Sequence, residues 1–170
     1  MPNPPAEDRD VFGGPPLSAA DQSGMAVALA EATAAAAIGE VPVGAAVVRD
    51  GVVIARAHNA TVRRRDPTAH AELLALQQAL QHTGMDRLTD CTLYVTLEPC
   101  AQCAGAVVLT KLGRLVFGAP DPKAGMCGSL GDLVRHPRLN HRVEVIGGAD
   151  APASAALLQA FFERRRSPRR

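Results

Sequence analysis

Aromatic side chains are scarce in this 170-residue sequence, which has no Trp, one Tyr and four Phe. A surface that stacks several bases on aromatic rings is therefore not expected. Hydrophobic residues make up 47% of the chain, and a core built from Ala, Val, Leu and Ile suits helices packed on an inner sheet. A chain of this length can bury one such core, so we expect a single domain.

Cysteines and long apolar runs are also few. Four cysteines do not make a disulfide scaffold in a chain of this size, and no charged segment followed by an apolar stretch opens the sequence. No apolar run approaches the length that spans a bilayer. We therefore expect a cytoplasmic protein with reduced thiols and no membrane association.

Positive charge is concentrated at the end of the sequence, and proline at its beginning. The net charge is +1, but residues 161–170 carry five Arg against one Glu. Such a segment can attract phosphates, and it can equally be a solvated end. Residues 1–17 hold five Pro and two Gly, a composition typical of a flexible leader. We therefore predict a folded domain over 18–166, between this leader and a basic tail at 167–170.

Periodic segments predict the order of the secondary-structure elements. Asp50-Gly51 joins two β-rich runs and is typical of a tight hairpin turn. Pro67 is expected in the first helical position, with Asp66 as the cap in front of it. The predicted elements are a helix over 21–38, strands within 43–57, a helix from Pro67 to Gly84, a strand over 92–97, a helix over 100–113, and then strands at 114–119 and 143–147 and a helix over 153–166.

The strand, helix and strand between residues 92 and 119 have the length of a βαβ unit, whose two strands are parallel. The hairpin before it is antiparallel, so the sheet must be mixed. We predict an α/β fold, a three-layer α/β/α sandwich in which a mixed five-stranded sheet carries helices on both faces.

Cys100 and Cys103, in the sequence PCAQC, lie three positions apart at the start of a predicted helix. Side chains at this spacing share one helix face, and a helix N-terminus favours thiolates. The pair alone fits a redox motif, half of a structural zinc site, or two buried thiols. Cys91 is most simply a small buried side chain, and Cys127 has no assigned role.

His70 and Glu72 change the interpretation of this pair. His70 also lies at a predicted helix start, and helices that follow parallel strands begin at the same edge of a sheet. Two thiolates and one imidazole are a recurring ligand set for zinc with an open position for water. Glu72, two residues after His70, is placed to move the proton of that water. The four residues therefore predict a catalytic zinc site.

The pattern His70-Ala71-Glu72 followed by PCAQC resembles the zinc-dependent deaminases of the cytidine and deoxycytidylate superfamily. Within that superfamily the chain resembles the tRNA adenosine deaminase family, over about residues 20–166. The segments that carry the resemblance are EVPVGA (40–45), DPTAHAE (66–72), TLYVTLEPCAQCAGA (92–106), VFGAPDPKAG (116–125), GSLGDL (128–133) and HPRLNHRVEV (136–145).

This resemblance implies a cytidine deaminase-like fold and hydrolytic conversion of adenosine to inosine at the wobble position of a tRNA anticodon. It further implies a homodimer that binds one Zn²⁺ per chain and the anticodon stem-loop. His70, Cys100 and Cys103 match the metal ligands and Glu72 the catalytic residue. The positions that match substrate-binding residues are Asn59 and Asp121, although Pro120 departs from the basic residue expected there.

Two other functions stay open at this stage. A deaminase of a free nucleobase or nucleoside, of the cytidine, deoxycytidylate or guanine type, would share the same zinc core. A structural zinc module that binds RNA would need a fourth protein ligand. Three basic segments favour a large anionic substrate: RRR (63–65), RHPRLNHR (135–142) and RRRSPRR (164–170).

Overall fold

The computed structural model describes residues 16–166. The elements in chain order are α1 (Ala19–Ala37), β1 (Gly44–Arg49), β2 (Val52–His58), α2 (Thr61–Arg64), α3 (Ala71–Thr83), β3 (Cys91–Leu97), α4 (Ala101–Leu109), β4 (Arg114–Ala119), β5 (Glu144–Ile146) and α5 (Ala151–Arg166). The five strands form one mixed sheet in the order β2-β1-β3-β4-β5, in which β1 is antiparallel to both of its neighbours and the pairs β3/β4 and β4/β5 are parallel.

Helices cover both faces of this sheet. α1 and α5 contact each other and the sheet on one side, while α3 and α4 contact each other on the opposite side. The three-layer sandwich with a mixed five-stranded sheet is therefore confirmed. No helix among residues 16–166 is long and apolar enough to cross a membrane. The predicted leader, apart from Pro16 and Leu17, and the predicted tail lie outside the described residues.

The hairpin and the parallel unit match the sequence prediction. Asp50 and Gly51 have φ values of 50° and 75°, the left-handed pair that a two-residue turn between twisted strands requires. β3, α4 and β4 form the βαβ unit with parallel strands. Five of the seven residues of β3 are buried, as expected for a strand covered on both faces.

Several predicted boundaries were wrong. Pro67 does not begin a helix, because the Asp66 carboxylate accepts hydrogen bonds from the backbone N–H and hydroxyl of Thr68, at 2.8 and 2.6 Å. That turn delays α3 until Ala71. The segment 59–66, which lies outside every predicted helix and strand, contains the one-turn helix α2. The last strand is shorter than predicted, and α5 begins two residues earlier.

A buried ionic cluster joins α1 to the sheet. The Asp21 carboxylate accepts two hydrogen bonds from the Arg114 guanidinium and one, at 2.9 Å, from the Tyr94 hydroxyl. Hydrogen bonding to Arg114 lowers the pKa of Asp21 to about 2. Asp21 is 3% exposed, whereas the Arg114 side chain is 24% exposed, so the carboxylate is buried and the guanidinium still reaches solvent.

We expect Asp21→Asn to lower the free energy of unfolding by about 2 kcal/mol at pH 7. Because the folded-state pKa of Asp21 is depressed, its stabilisation is present above the ordinary value of 3.8 and is lost as pH falls towards about 2. Urea unfolding should show the difference narrowing between about pH 4 and pH 2. Asp50→Asn, in the exposed hairpin turn, is the control and should change little; an equal loss there would contradict this role of Asp21.

Candidate metal centre

Three ligand atoms converge where α3 and α4 begin. The Nδ1 atom of His70 lies 3.5 Å from the Cys100 Sγ and 3.6 Å from the Cys103 Sγ. All three ligand atoms lie within 4.8 Å of one another. Zn–S bonds of about 2.3 Å and Zn–N bonds of about 2.0–2.1 Å at the tetrahedral angle separate S and N by about 3.6 Å. The cluster therefore has the spacing of three ligands on one tetrahedral metal.

The chain path explains this convergence. β2 and β3 are both antiparallel to β1, so they run in the same direction and the helices that follow them begin at one edge of the sheet. His70 and Cys100 each lie one residue before their helix, in extended conformation, and neither side chain caps it. Only Cys103 lies within a first helical turn, so the prediction that both thiols and His70 lie there was wrong. The predicted shared edge is confirmed.

Asn59 replaces the missing cap of α3. Its Oδ1 accepts a hydrogen bond of 2.9 Å from the backbone N–H of Ala71, the residue after His70. Asn59 is buried, with 8% of its surface exposed, and its amide nitrogen donates no hydrogen bond to another of residues 16–166. One end of the Asn59 amide thus fixes the His70 backbone, while the other end is available at the site.

Glu72 is buried beside the cluster, with 4% of its surface exposed. Burial raises the pKa of its carboxyl to about 7, against smaller lowering effects of its own backbone N–H and of the His70 ring. A carboxyl group with this pKa can both accept and release a proton near neutral pH. The position suits a proton shuttle better than a fixed charge.

The Sγ atoms of the two thiols lie within 4.8 Å of each other. Interaction with the Cys103 thiol, followed by the contact with His70, lowers the pKa of Cys100 to about 3. Interaction with Cys100 and burial raise the pKa of Cys103, and the contact with Cys100 raises the pKa of His70. The protein alone thus favours one thiolate, and a thiolate is the form of cysteine that binds zinc.

Two other cysteines lie outside this cluster. Cys91 is buried at the first residue of β3, at the opposite edge of the sheet, and Cys127 is buried in the loop after β4. Among residues 16–166, no fourth His, Cys, Asp or Glu joins the three ligands within 4.8 Å. The cluster is therefore an open site, which is typical of catalytic rather than structural zinc.

Asp121 lies in the loop after β4. Its carboxylate accepts hydrogen bonds from the backbone N–H groups of Lys123 and Ala124, at 3.0 and 3.2 Å, and its own backbone N–H donates to Glu98. Asp121 thus organises the turn in which it lies and is partly exposed.

Sequence reasoning missed two polar side chains next to the ligands. Gln102 donates a 2.9 Å hydrogen bond to the carbonyl of Thr68 and lies 3.9 Å from the Cys103 sulfur, which ties the two halves of the site together. Glu98 is 1% exposed, and only its position directly after an apolar strand could have indicated a special role.

Several known proteins are similar to this chain in sequence. The sequence model of the MafB19-like deaminase family matches residues 19–166. A tRNA-specific adenosine deaminase of Bacillus subtilis is 45% identical over 88% of this chain and 93% of its own length, and one of Aquifex aeolicus is 43% identical over 84% and 94%. The chain belongs to the tRNA-specific adenosine deaminase family.

Solved structures agree with this family assignment. A structure from studies of A-to-I editing by tRNA:A34 deaminases at the wobble position of transfer RNA is 42% identical, covering 80% of this chain and 99% of its own, with a TM-score of 0.77. A guanine deaminase from Nitrosomonas europaea is 27% identical, with a TM-score of 0.73 and 89% of each chain covered. The deaminase family fold thus extends to enzymes of free bases.

Proposed function

We propose that this protein is a zinc-dependent hydrolase that deaminates adenosine to inosine at the wobble position of a tRNA anticodon. The observation that carries the proposal is the tetrahedral spacing of His70, Cys100 and Cys103 beside the buried Glu72. Membership of the tRNA-specific adenosine deaminase family supports the choice of substrate. A protein that acts on tRNA would work in the cytoplasm, and by its resemblance we propose that it does so as a homodimer.

The three ligands would hold one zinc ion and leave one coordination position open. Zinc bound there would supply electrophilic activation of the attacking water. Glu72 takes up a proton at its carboxylate and returns it to the leaving amino group, since a pKa of about 7 suits both steps. Burial of Glu72 keeps bulk water from competing for that proton.

Asn59 and Asp121 are proposed to bind the RNA. The free amide nitrogen of Asn59 can donate to the target nucleotide, while its oxygen stays bound to Ala71. Asp121 lies in the loop that is joined to Pro99 and Cys100 by a backbone bridge and a hydrogen bond. That position suits contact with a neighbouring nucleotide.

A groove beside Asn59 is suited to RNA phosphates. It has a volume of about 310 Å³, and its lining includes the exposed Arg63 and Arg64 together with Glu31, which pairs with Arg56 and His58. Arg63 and Arg64 are exposed, and neither guanidinium has an ion-pair partner among residues 16–166. A groove with unpaired guanidinium groups attracts phosphate oxygens.

Replacing Arg63 and Arg64 together by Gln should weaken binding of an anticodon stem-loop. Loss of two phosphate contacts makes the negative slope of log K against log salt shallower by about 1.4 for unpaired RNA. Fluorescence anisotropy across a salt series measures this slope. Arg87→Gln, exposed before β3 at the opposite edge of the sheet, should leave it unchanged, and an equal fall in both variants would show nonspecific electrostatics instead of a groove.

The proposed reaction is tested by incubating zinc-loaded protein with total tRNA, digesting the RNA and measuring inosine by mass spectrometry. Inosine should accumulate with time and should appear only in tRNA species with adenosine at the wobble position. An absence of inosine in tRNA would contradict the proposal.

Deamination of a free nucleobase or nucleoside is the second candidate, because the guanine deaminase from Nitrosomonas europaea shares the fold over 89% of both chains. Ammonia release from guanine, cytidine and adenosine, measured beside the stem-loop, separates the two functions. Faster release from a free nucleobase or nucleoside than from the stem-loop would favour the second.

A further inference from the structure

Glu98 is a buried carboxylate that the proposed chemistry does not use. It is 1% exposed and accepts four hydrogen bonds from one loop. The backbone N–H groups of Asp121, Cys127 and Ser129 donate at 2.9, 3.0 and 3.0 Å, and the Ser129 hydroxyl donates the fourth. Retaining a buried charge without a cation is costly unless several donors surround it, so the arrangement is specific.

The loop over residues 121–129, named here the cover loop, is wrapped tightly around this carboxylate. A Cβ atom built on Gly125 would lie 2.3 Å from the Glu98 carboxyl carbon, so only glycine fits at this position of the loop. The donors come from positions eight residues apart in sequence. The carboxylate is thus the common centre that fixes the two ends of the cover loop.

The cover loop also contacts the metal-ligand segment. Gly125 forms a backbone bridge with Cys100, and the Met126 N–H donates a 2.9 Å hydrogen bond to the Pro99 carbonyl. Glu98 itself lies two residues before Cys100. The loop that carries Asp121 is therefore held at the rim of the metal centre by Glu98 and by this backbone pairing.

We infer that Glu98 is a positioning residue for substrate: its carboxylate fixes the cover loop, and with it Asp121, where a nucleotide next to the target base must pass. This inference rests on the proposed function. Glu98 does not reach the substrate, since its oxygens are occupied by loop donors. Its loss should therefore weaken RNA binding rather than the chemical step.

Glu98→Gln tests this inference because the amide would direct an N–H₂ group at N–H donors. With the anticodon stem-loop, KM should rise about tenfold while kcat stays within about twofold, as expected when a loop loses the charge to which its N–H groups donate. Zinc content should equal that of the parent. Hydrogen exchange at the amides of the cover loop should speed up, while exchange in β3 should not.

Two further variants complete the test. Ser129→Ala removes one hydrogen-bond donor and keeps the Glu98 carboxylate, so it should raise KM about threefold and speed hydrogen exchange in the cover loop. This variant replaces Glu98→Gln in the test if Glu98→Gln does not fold. Glu144→Gln, which is exposed on β5, is the control. Unchanged loop exchange, or a fall in kcat with loss of zinc, would overturn the inference. If the parent protein forms no inosine, the proposed function is contradicted. Hydrogen exchange in the cover loop then still shows whether Glu98 fixes that loop.

Discussion

Glu72→Gln is expected to lower kcat for inosine formation by about 10²–10⁴-fold, the contribution of a positioned general acid and base. The amide keeps the shape of the side chain but cannot take up a proton from water or return it to the leaving group. Glu72 is not one of the three clustered ligands, so zinc content should stay at the parent value. Single-turnover kinetics on the stem-loop and metal analysis of the same sample measure both.

The control for Glu72 is Glu144→Gln, which removes a carboxylate far from the cluster and should keep full turnover. Glu72→Ala should behave like Glu72→Gln, with retained zinc and lost turnover. Inosine formation at the parent rate in either Glu72 variant would remove this residue from the mechanism. Loss of zinc along with turnover would instead make Glu72 a residue that supports the metal.

Cys103→Ala should abolish both metal retention and inosine formation. The thiol is fully buried and 3.6 Å from the His70 Nδ1, and two remaining ligands bind zinc too weakly to survive dialysis against a chelator. Zinc content measured after that dialysis should fall to background, and turnover should fall with it.

Cys91→Ala is the matched control for that change. Cys91 is also a buried cysteine, 2% exposed, but it lies at the opposite end of β3 from Cys100. The two variants lose the same atoms from buried positions, so a general packing effect should appear in both. Retention of zinc by Cys103→Ala, or equal loss in Cys91→Ala, would contradict the ligand assignment.

Local signals in the sequence predicted the architecture but not all of its boundaries. Asp50-Gly51 predicted the hairpin because the turn depends on two adjacent residues. The start of α3 was mispredicted because Pro67 and Asp66 also fit a tight turn, and that turn forms through Thr68. The short helix α2 depends on Glu40, which is distant in sequence and buried. The Glu40 carboxylate accepts hydrogen bonds from the backbone N–H groups of Val62 and Arg63.

In the metal centre too, features that depend on local sequence could be predicted and features that depend on distant contacts could not. His70, Cys100 and Cys103 could be brought together from sequence, because strand direction determines which helix starts share an edge. The cap that Asn59 provides for α3 and the loop contacts of Glu98 could not be predicted, since each joins segments that are paired only in the folded chain. Sequence spacing carries no information about such partners.

The most direct test of the account is the fate of a synthetic anticodon stem-loop with adenosine at the wobble position, incubated with zinc-loaded protein in oxygen-labelled water. Mass spectrometry should show inosine at that position alone, carrying one labelled oxygen. A stem-loop that remains unchanged, while free guanine or cytidine is deaminated by the same preparation, would contradict the account.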